Sequence, residues 1–167
     1  MTAFSITTMT MSHSPSSSST PPVVALRDAG PGDAGSVYAW NCATDVRALS
    51  GDPRPIAFAD HVRWFERRVA AGSFWIVELD GAPVGTVRLD GAAISIALDG
   101  SVRGRGVGRR AIAAACGRVA QAGGGAVVAK IHVRNHSSRA CFEACGFRPV
   151  AERDGFVSYQ WSTWSNP

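Results

Sequence analysis

The stretch ISIALDGSVRGRGVGRR, residues 94–110, decides the fold. Ile94, Ile96 and Leu98 alternate with Ser95 and Ala97, the period-two pattern of a β-strand. Asp99-Gly100-Ser101 breaks that pattern, and from Val107 onward Ala111, Ile112, Ala115, Cys116 and Val119 recur at helical spacing. Between strand and helix sits Arg103-Gly104-Arg105-Gly106-Val107-Gly108. Glycines there let main-chain N–H groups approach a ligand, and a helix N-terminus adds unpaired donors with partial positive charge. The turn is suited to an anion, most simply a pyrophosphate.

Two phosphate-binding classes fail on these residues. No Gly-Lys-Ser/Thr follows the glycines, so this is not a P-loop. A dinucleotide fingerprint needs an acidic residue roughly 20 positions on, yet no Asp or Glu occurs between Arg109 and Phe142. Arg103, Gly106 and Gly108 do form Arg-x-x-Gly-x-Gly. Downstream, Asn135, Ser138, Phe142, Gly146 and Phe147 form Asn-x-x-Ser-x-x-x-Phe-x-x-x-Gly-Phe. Together, in this order and each after a strand, the two segments resemble the cofactor-binding motifs of the GNAT superfamily of N-acetyltransferases. The resemblance covers about residues 23–161.

Reading outward, Val23 to Arg27 forms a first strand, and Pro31-Gly-Asp33 opens a helix through Val37 and Trp40. A loop with Pro53 and Pro55 leads to a second helix carrying His61, Trp64 and Phe65. Asp80-Gly81 joins two strands, Phe74 to Leu79 and Val84 to Leu89, as a hairpin. After the central strand and helix, Gly123-Gly-Gly125 stops the helix and Val127 to Val133 is a buried strand. A short helix over about 136–145 and two strands around Asp154-Gly155 close the chain. The order βααβββαβαββ is an α/β layer fold. The resemblance makes it GNAT-like: a mixed, mostly antiparallel sheet flanked by helices and splayed between the strands at about 93–98 and 126–133.

The resemblance also implies acetyl-CoA as cofactor and assigns its contacts. Main-chain groups of Ile96 and Leu98 face the pantetheine arm, and Arg103, Gly104, Arg105, Gly106, Val107, Gly108 and Arg109 wrap the pyrophosphate. Asn135 and Phe142 meet the arm, with Asn135 also a helix N-cap. Many relatives place at 142 a tyrosine that protonates the leaving thiolate; Phe142 has no hydroxyl. Ser138, Cys141 and Tyr159 are the alternative donors. Candidates to deprotonate the amine, directly or through water, are Glu78, His132, Asp99 and His61. His132 alternates with Ile131 and Val133, so it points either into a cleft or onto a polar sheet face. Between residues 40 and 65, Trp40, Asn41, Arg47, His61 and Trp64 are the substrate-binding candidates, loosely similar to the branch that acetylates UDP-linked 4-amino sugars. The same aromatic residues also read as core packing.

Composition narrows the class. The 167 residues are enough for one domain with a sizeable core, and the net charge is +4. Of 17 basic residues only Lys130 is a lysine, and Arg103, Arg105, Arg109 and Arg110 cluster at the glycine turn. That clustering, without interleaved aromatics, suits a polyanionic cofactor and not nucleic acid. Residues 1–22 contain twelve Ser or Thr in the first twenty and no charge, the composition of a disordered tail and not of a signal peptide. The domain is expected over 23–162, with a C-terminal tail at 163–167. No run of 18 apolar residues exists, so no membrane partner is expected. Cys141 and Cys145 lack a second ligand pair, so no metal is expected, and reduced thiols fit a cytoplasmic protein. The expected activity is acetyl-CoA-dependent transfer to a primary amine of a small molecule by direct attack in a ternary complex, with homodimerisation left open. The alternatives are a protein N-terminal or lysine acetyltransferase and a non-catalytic acetyl-CoA-binding regulatory module.

Overall fold

A computed structural model describes residues 21–52 and 54–163; most of the expected tail and the last residues lie outside these. Strand β1 (Val24–Asp28) and a 3₁₀ turn (Pro31–Asp33) lead into α1 (Ala34–Cys42). Helix α2 (Thr44–Ala48) and helix α3 (Phe58–Ala70) follow. Three antiparallel strands come next, β2 (Phe74–Leu79), β3 (Ala82–Asp90) and β4 (Ala93–Leu98). The glycine turn opens α4 (Val107–Gln121), then β5 (Ala126–His132), α5 (His136–Ala144), β6 (Arg148–Arg153) and β7 (Phe156–Ser162). The expected order holds apart from α2, a five-residue helix inside what reads as loop.

The strands form one sheet in the order β1-β2-β3-β4-β5-β7-β6, in which only the β4–β5 neighbours run parallel. Both Asp-Gly turns take positive φ at both residues, 53° and 81° at Asp80-Gly81 and 53° and 76° at Asp154-Gly155. That geometry matches strand twist and joins β2 to β3 and β6 to β7 without a longer loop.

Each sheet face buries its own core. Trp75, Val77, Val87, Ile94, Val127, Ala129, Ile131 and Tyr159 pack with Ala111, Ile112 and Ala115 of α4 and Phe142 of α5. On the other face Phe74, Ile76 and Ala97 pack against Val37 and Trp40 of α1 and Phe65 of α3. Each fully buried large apolar side chain contributes about 1.5–3 kcal/mol, and β2, apolar on both faces from Phe74 to Val77, feeds both cores. Arg118 ties α4 to β1, donating to the Leu26 carbonyl at 2.6 Å while lying 5.1 Å over the Trp75 ring.

β3 approaches β4 with no spare room at Gly85, which faces Leu98. A Cβ there would lie 2.4 Å from the Ala97 carbonyl oxygen and 2.9 Å from the Leu98 Cα. Backbone atoms cannot rotate away, so Gly85→Ala is expected to destabilise by about 1–3 kcal/mol in urea unfolding.

His61 sits in the second core, 2 % exposed, and its Nε2–H donates to the Ala34 carbonyl at 3.1 Å. The ring packs among Tyr38, Trp64 and Phe65. This corrects the expectation that His61 binds substrate or acts as base: it holds α3 to α1. Burial lowers its pKa below the ordinary 6.5, against the raising effect of the Ala34 carbonyl. The unfolded chain therefore takes up a proton at a higher pH than the folded one. The resulting stability is present above that ordinary value and is lost as pH falls below it. Between about pH 7.5 and about pH 5.5 the urea midpoint is expected to fall, and to fall less in His61→Gln.

Candidate functional site

β4 and β5 pair at Ala93↔Val128, where the Val128 N–H donates to the Ala92 carbonyl at 2.8 Å, and nowhere else among the described residues. Beyond that point the sheet opens. The Leu89 N–H donates to Ser73 and the Asp99 N–H to Val84, which fixes the alternation along β3 and β4. By that alternation Ser95 and Ala97 spend their main-chain groups on β3, while Ile96 and Leu98 aim theirs at β5 across the gap. On the opposite wall Lys130 and His132 aim theirs back, because Ile131 and its odd-numbered neighbours pair with β7. The expected splay and the expected placement of the 96 and 98 amides follow directly from these bonds.

The mouth of the gap is the glycine turn. Gly104 and Gly106 have φ of 71° and 78°, and a Cβ on either would meet nothing within 4 Å. Gly106 is the N-cap of α4 and has no side chain to cap with; the Arg110 N–H makes the first helical bond, to the Gly106 carbonyl at 3.2 Å. The N–H groups just before Arg110 therefore lack helical partners and face outward with the positive end of a 15-residue helix. These residues fit a diphosphate. Val107 is buried, so only its main chain can serve.

Gly108 has a different task. Its Cβ would sit 3.3 Å from Cys141 Sγ and 3.4 Å from Leu98 Cδ1, so it sets the close approach of α4 to α5 and β4. The arginines also divide. Arg105 and Arg109 are exposed and make no ion pair among the described residues. Arg103 turns inward, donating from Nε and Nη2 to the Leu98 carbonyl at 3.1 and 2.9 Å and pairing with Asp45 of α2. Its guanidinium braces the mouth of the gap through Leu98 and Asp45.

On α5, Asn135 Oδ1 accepts the Ser138 N–H at 3.1 Å, the expected N-cap. Phe142 is 2 % exposed and meets Phe147 edge-on at 4.9 Å, so its ring is core and does not face a cofactor arm. Cys141 lies at the gap beside Gly108. The neighbouring Cys145 thiol, which donates to the Arg109 carbonyl at 3.4 Å, lowers the Cys141 pKa against the effect of burial, with Arg109 assisting, while Cys141 pushes that of Cys145 up. Tyr159 is fully buried; its hydroxyl donates to Glu143 at 2.7 Å and accepts from Arg139 at 3.0 Å. Tyr159 is thus a strut between β7 and α5 and not a proton donor to a leaving group.

The remaining candidates scatter. Glu78, on β2, receives Arg27 at 2.8 Å in a triad with Asp33. His132 Nδ1 accepts the Arg134 N–H at 3.1 Å and its ring stands on Phe156, on the face away from α4 and α5. Asp99, at the end of β4, accepts the Ser101 hydroxyl and N–H, and these bonds chiefly hold its carboxyl below the usual range. Trp40 is core and Asn41 half-buried. Arg47 donates to the carbonyls of Asp52 and Arg54, closing the loop after α2. Trp64 lies under the Arg88 guanidinium at 5.1 Å. Sequence reasoning missed Arg88 as a site residue; the available signal was the one charge inside the strand run from Val84 to Leu89.

The model of the acetyltransferase (GNAT) family matches residues 36–147. No curated protein matches the chain in sequence. Among solved structures, a domain from Methanocaldococcus jannaschii DSM 2661 aligns with TM-score 0.76 at 19% identity, over 85% of this chain and 99% of its own. A spermidine N-acetyltransferase from Vibrio cholerae, in complex with CoA and spermine, aligns with TM-score 0.74 at 15% identity, over 85% and 96%. A ribosomal-protein-alanine N-acetyltransferase from Brucella melitensis aligns with TM-score 0.69 at 18% identity, over 83% and 99%.

Removing the Tyr159 hydroxyl leaves the Glu143 and Arg139 groups without it, at about 1–3 kcal/mol. Tyr159→Phe is expected to lower the urea midpoint while leaving the affinity for coenzyme A, read by calorimetry, unchanged.

Proposed function

The chain belongs to the acetyltransferase (GNAT) family, and from that premise we propose that it transfers the acetyl group of acetyl-CoA to the primary amine of a small molecule. The observation that carries this reading is the sheet opening after Ala93↔Val128 beside the glycine turn of α4. Main-chain donors of residues 104–109, assisted by Arg105 and Arg109, would hold the diphosphate, and Asn135 the arm. Acetyl-CoA supplies a thioester whose carbonyl accepts negative charge as the amine adds. An Ile96 or Leu98 N–H aimed into the gap meets that charge, a role worth about 2.7–4 kcal/mol per donor. The amine nitrogen bonds the acetyl carbon, the carbon–sulfur bond breaks, and the amine's proton leaves to water.

Four of the candidate acids and bases are committed to other contacts. Glu78 is held by Arg27, Tyr159 by Glu143, and His61 is buried, while Asp99 at the end of β4 has a carboxyl held too acidic to be a strong base. We therefore take the amine to attack directly in a ternary complex, deprotonated through water, with thiolate leaving unaided because a thiol pKa near ~8.5 makes it a passable leaving group. CoA and spermine in the Vibrio cholerae enzyme support the small-amine reading, and a nucleotide-linked amino sugar is the first acceptor to try. Protein acetylation is the second reading, favoured by the likeness to the Brucella melitensis enzyme.

Incubation with acetyl-CoA and a panel of amino sugars, amino-sugar nucleotides, polyamines and peptides is expected to release free coenzyme A thiol with a small amine and not with peptides. Thiol release with peptides alone would overturn the small-molecule reading. Gly106→Val, which places a branched side chain at φ 78° on the turn, is expected to weaken coenzyme A binding about tenfold or more by calorimetry.

A further inference from the structure

Arg88 is a charge inside a strand. It lies on β3 directly opposite Ser95 of β4, and so one residue from Ile96, whose main chain faces the gap. Its side chain stands on the face of α1 and α3, since neighbouring Val87 belongs to the core under α4. The guanidinium lies over Trp64, and among the described residues no hydrogen bond or ion pair reaches it. The nearest carboxylate, Asp90, is already held by Arg68 at 2.7 Å. Burial, followed by the charge of Arg68, makes the protonated guanidinium harder to hold, with Asp90 opposing. Arg88, Arg68 and the Asp90 carboxylate paired with Arg68 line a cleft of about 270 Å³ with Ser73, Phe74 and Gly91.

A partly desolvated guanidinium without an anion is an unfinished arrangement, because its charge keeps most of the cost of leaving water. The Trp64 ring, 5.1 Å from Cζ, gives the guanidinium N–H groups no hydrogen-bond acceptor, and those groups match a carboxylate or phosphate in two-point contact. The Arg68–Asp90 pair beside it is close to neutral, so Arg88 supplies the net positive charge of the cleft. The cleft volume suits a small anionic group and not a whole nucleotide. The glycine turn opens α4 on the other face, so an acceptor held at Arg88 has to reach the thioester across the sheet, past the point where β4 and β5 cease to pair.

We propose that Arg88 is the anion subsite for the acceptor, so that the amine taken carries a carboxylate or a phosphate ester. This rests on the acetyl-transfer reading and names its substrate class. The amine reaches the thioester through the gap while its anionic group is held at Arg88, with Arg68 and Ser73 at the rim.

Matched amines test this: glucosamine against glucosamine 6-phosphate, and L-methioninamide against L-methionine, each with acetyl-CoA and free-thiol readout. The ratio of kcat/KM for the anionic to the uncharged-group partner is compared between wild type and variants, which cancels differences in amine basicity. Arg88→Gln is expected to cut that ratio about tenfold or more, and Arg88→Lys to restore part of it. Loss in the phosphate pair alone or the carboxylate pair alone identifies the source of the anion. Calorimetry of glucosamine 6-phosphate or L-methionine with protein saturated by coenzyme A, which fills the glycine turn, gives a readout free of turnover. Binding that Arg88→Gln removes, with no amine acetylated, would keep the subsite and sink acetyl transfer. A ratio and a binding constant that no Arg88 variant changes would overturn the subsite; if Arg88→Gln does not fold, Arg88→Lys and Arg68→Gln put the subsite to the same test.

Discussion

A strand in the middle of a sheet ordinarily satisfies its main chain on both sides. β4 does so on one side only. Its bonds to β3 run the whole length from Ala93 to Leu98, while those to β5 stop after the first residue. Unpaired main-chain groups in a protein interior cost about 1–3 kcal/mol each, so an opening of this kind persists only if water or a ligand completes it. A pantetheine arm, with its two amides, is an extended chain of suitable character. The rest of the molecule can be read as the apparatus that keeps these two strands apart.

Several contacts hold the opening. Arg103 takes the Leu98 carbonyl, which would otherwise face the gap unpaired, and anchors to Asp45 on α2. Gly85 lets β3 press so close that Leu98 cannot shift toward it, and Gly108 lets α4 seat against Cys141 and Leu98 on the other side. Past the gap, β5 is committed to β7 from Ala126 to His132, and Tyr159 of β7 is braced to α5 through Glu143. The two half-sheets are therefore each stiff, and the gap is the space left between them. The arginines are consequently not interchangeable: Arg103 and Arg118 are structural, while Arg105 and Arg109 are left to meet an anion.

The parts legible in sequence are those in which chemistry is local. The glycine turn, both Asp-Gly hairpins and the Asn135 cap each involve residues close in the chain, so composition and spacing specify them. The splay was reachable only through family resemblance, because a strand that parts from its neighbour has the same alternation as one that does not. Side-chain roles were the least legible. Glu78, Tyr159 and His61 have the right chemistry for catalysis, yet their partners Arg27, Glu143 and Ala34 lie 51, 16 and 27 positions away in sequence. Arg88 failed in the reverse direction. In sequence it carries no role of its own; the structure sets its guanidinium 5.1 Å from the Trp64 ring and gives Asp90 to Arg68.

With the obvious acids and bases engaged elsewhere, the balance of the mechanism moves to positioning. Holding a neutral amine and a thioester in attack geometry can supply about 7–11 kcal/mol, whereas a general acid or base typically contributes about 10²–10⁴-fold in rate. A site that relies on the first term needs firm handles at both ends of the reacting pair. In the proposed function the diphosphate handle is main chain at the turn of α4, where Gly104 and Gly106 hold positive φ. The acceptor handle is a side chain, Arg88, set on the neighbouring strand by the same β3–β4 pairing that aims the Ile96 amide. In the proposed transfer, one ladder would set the distance between the guanidinium that orients the acceptor and the N–H that meets the oxyanion developing on the thioester carbonyl. A change of acceptor class would require changing the residue at 88 or its Trp64 support, while the cofactor side stays as it is.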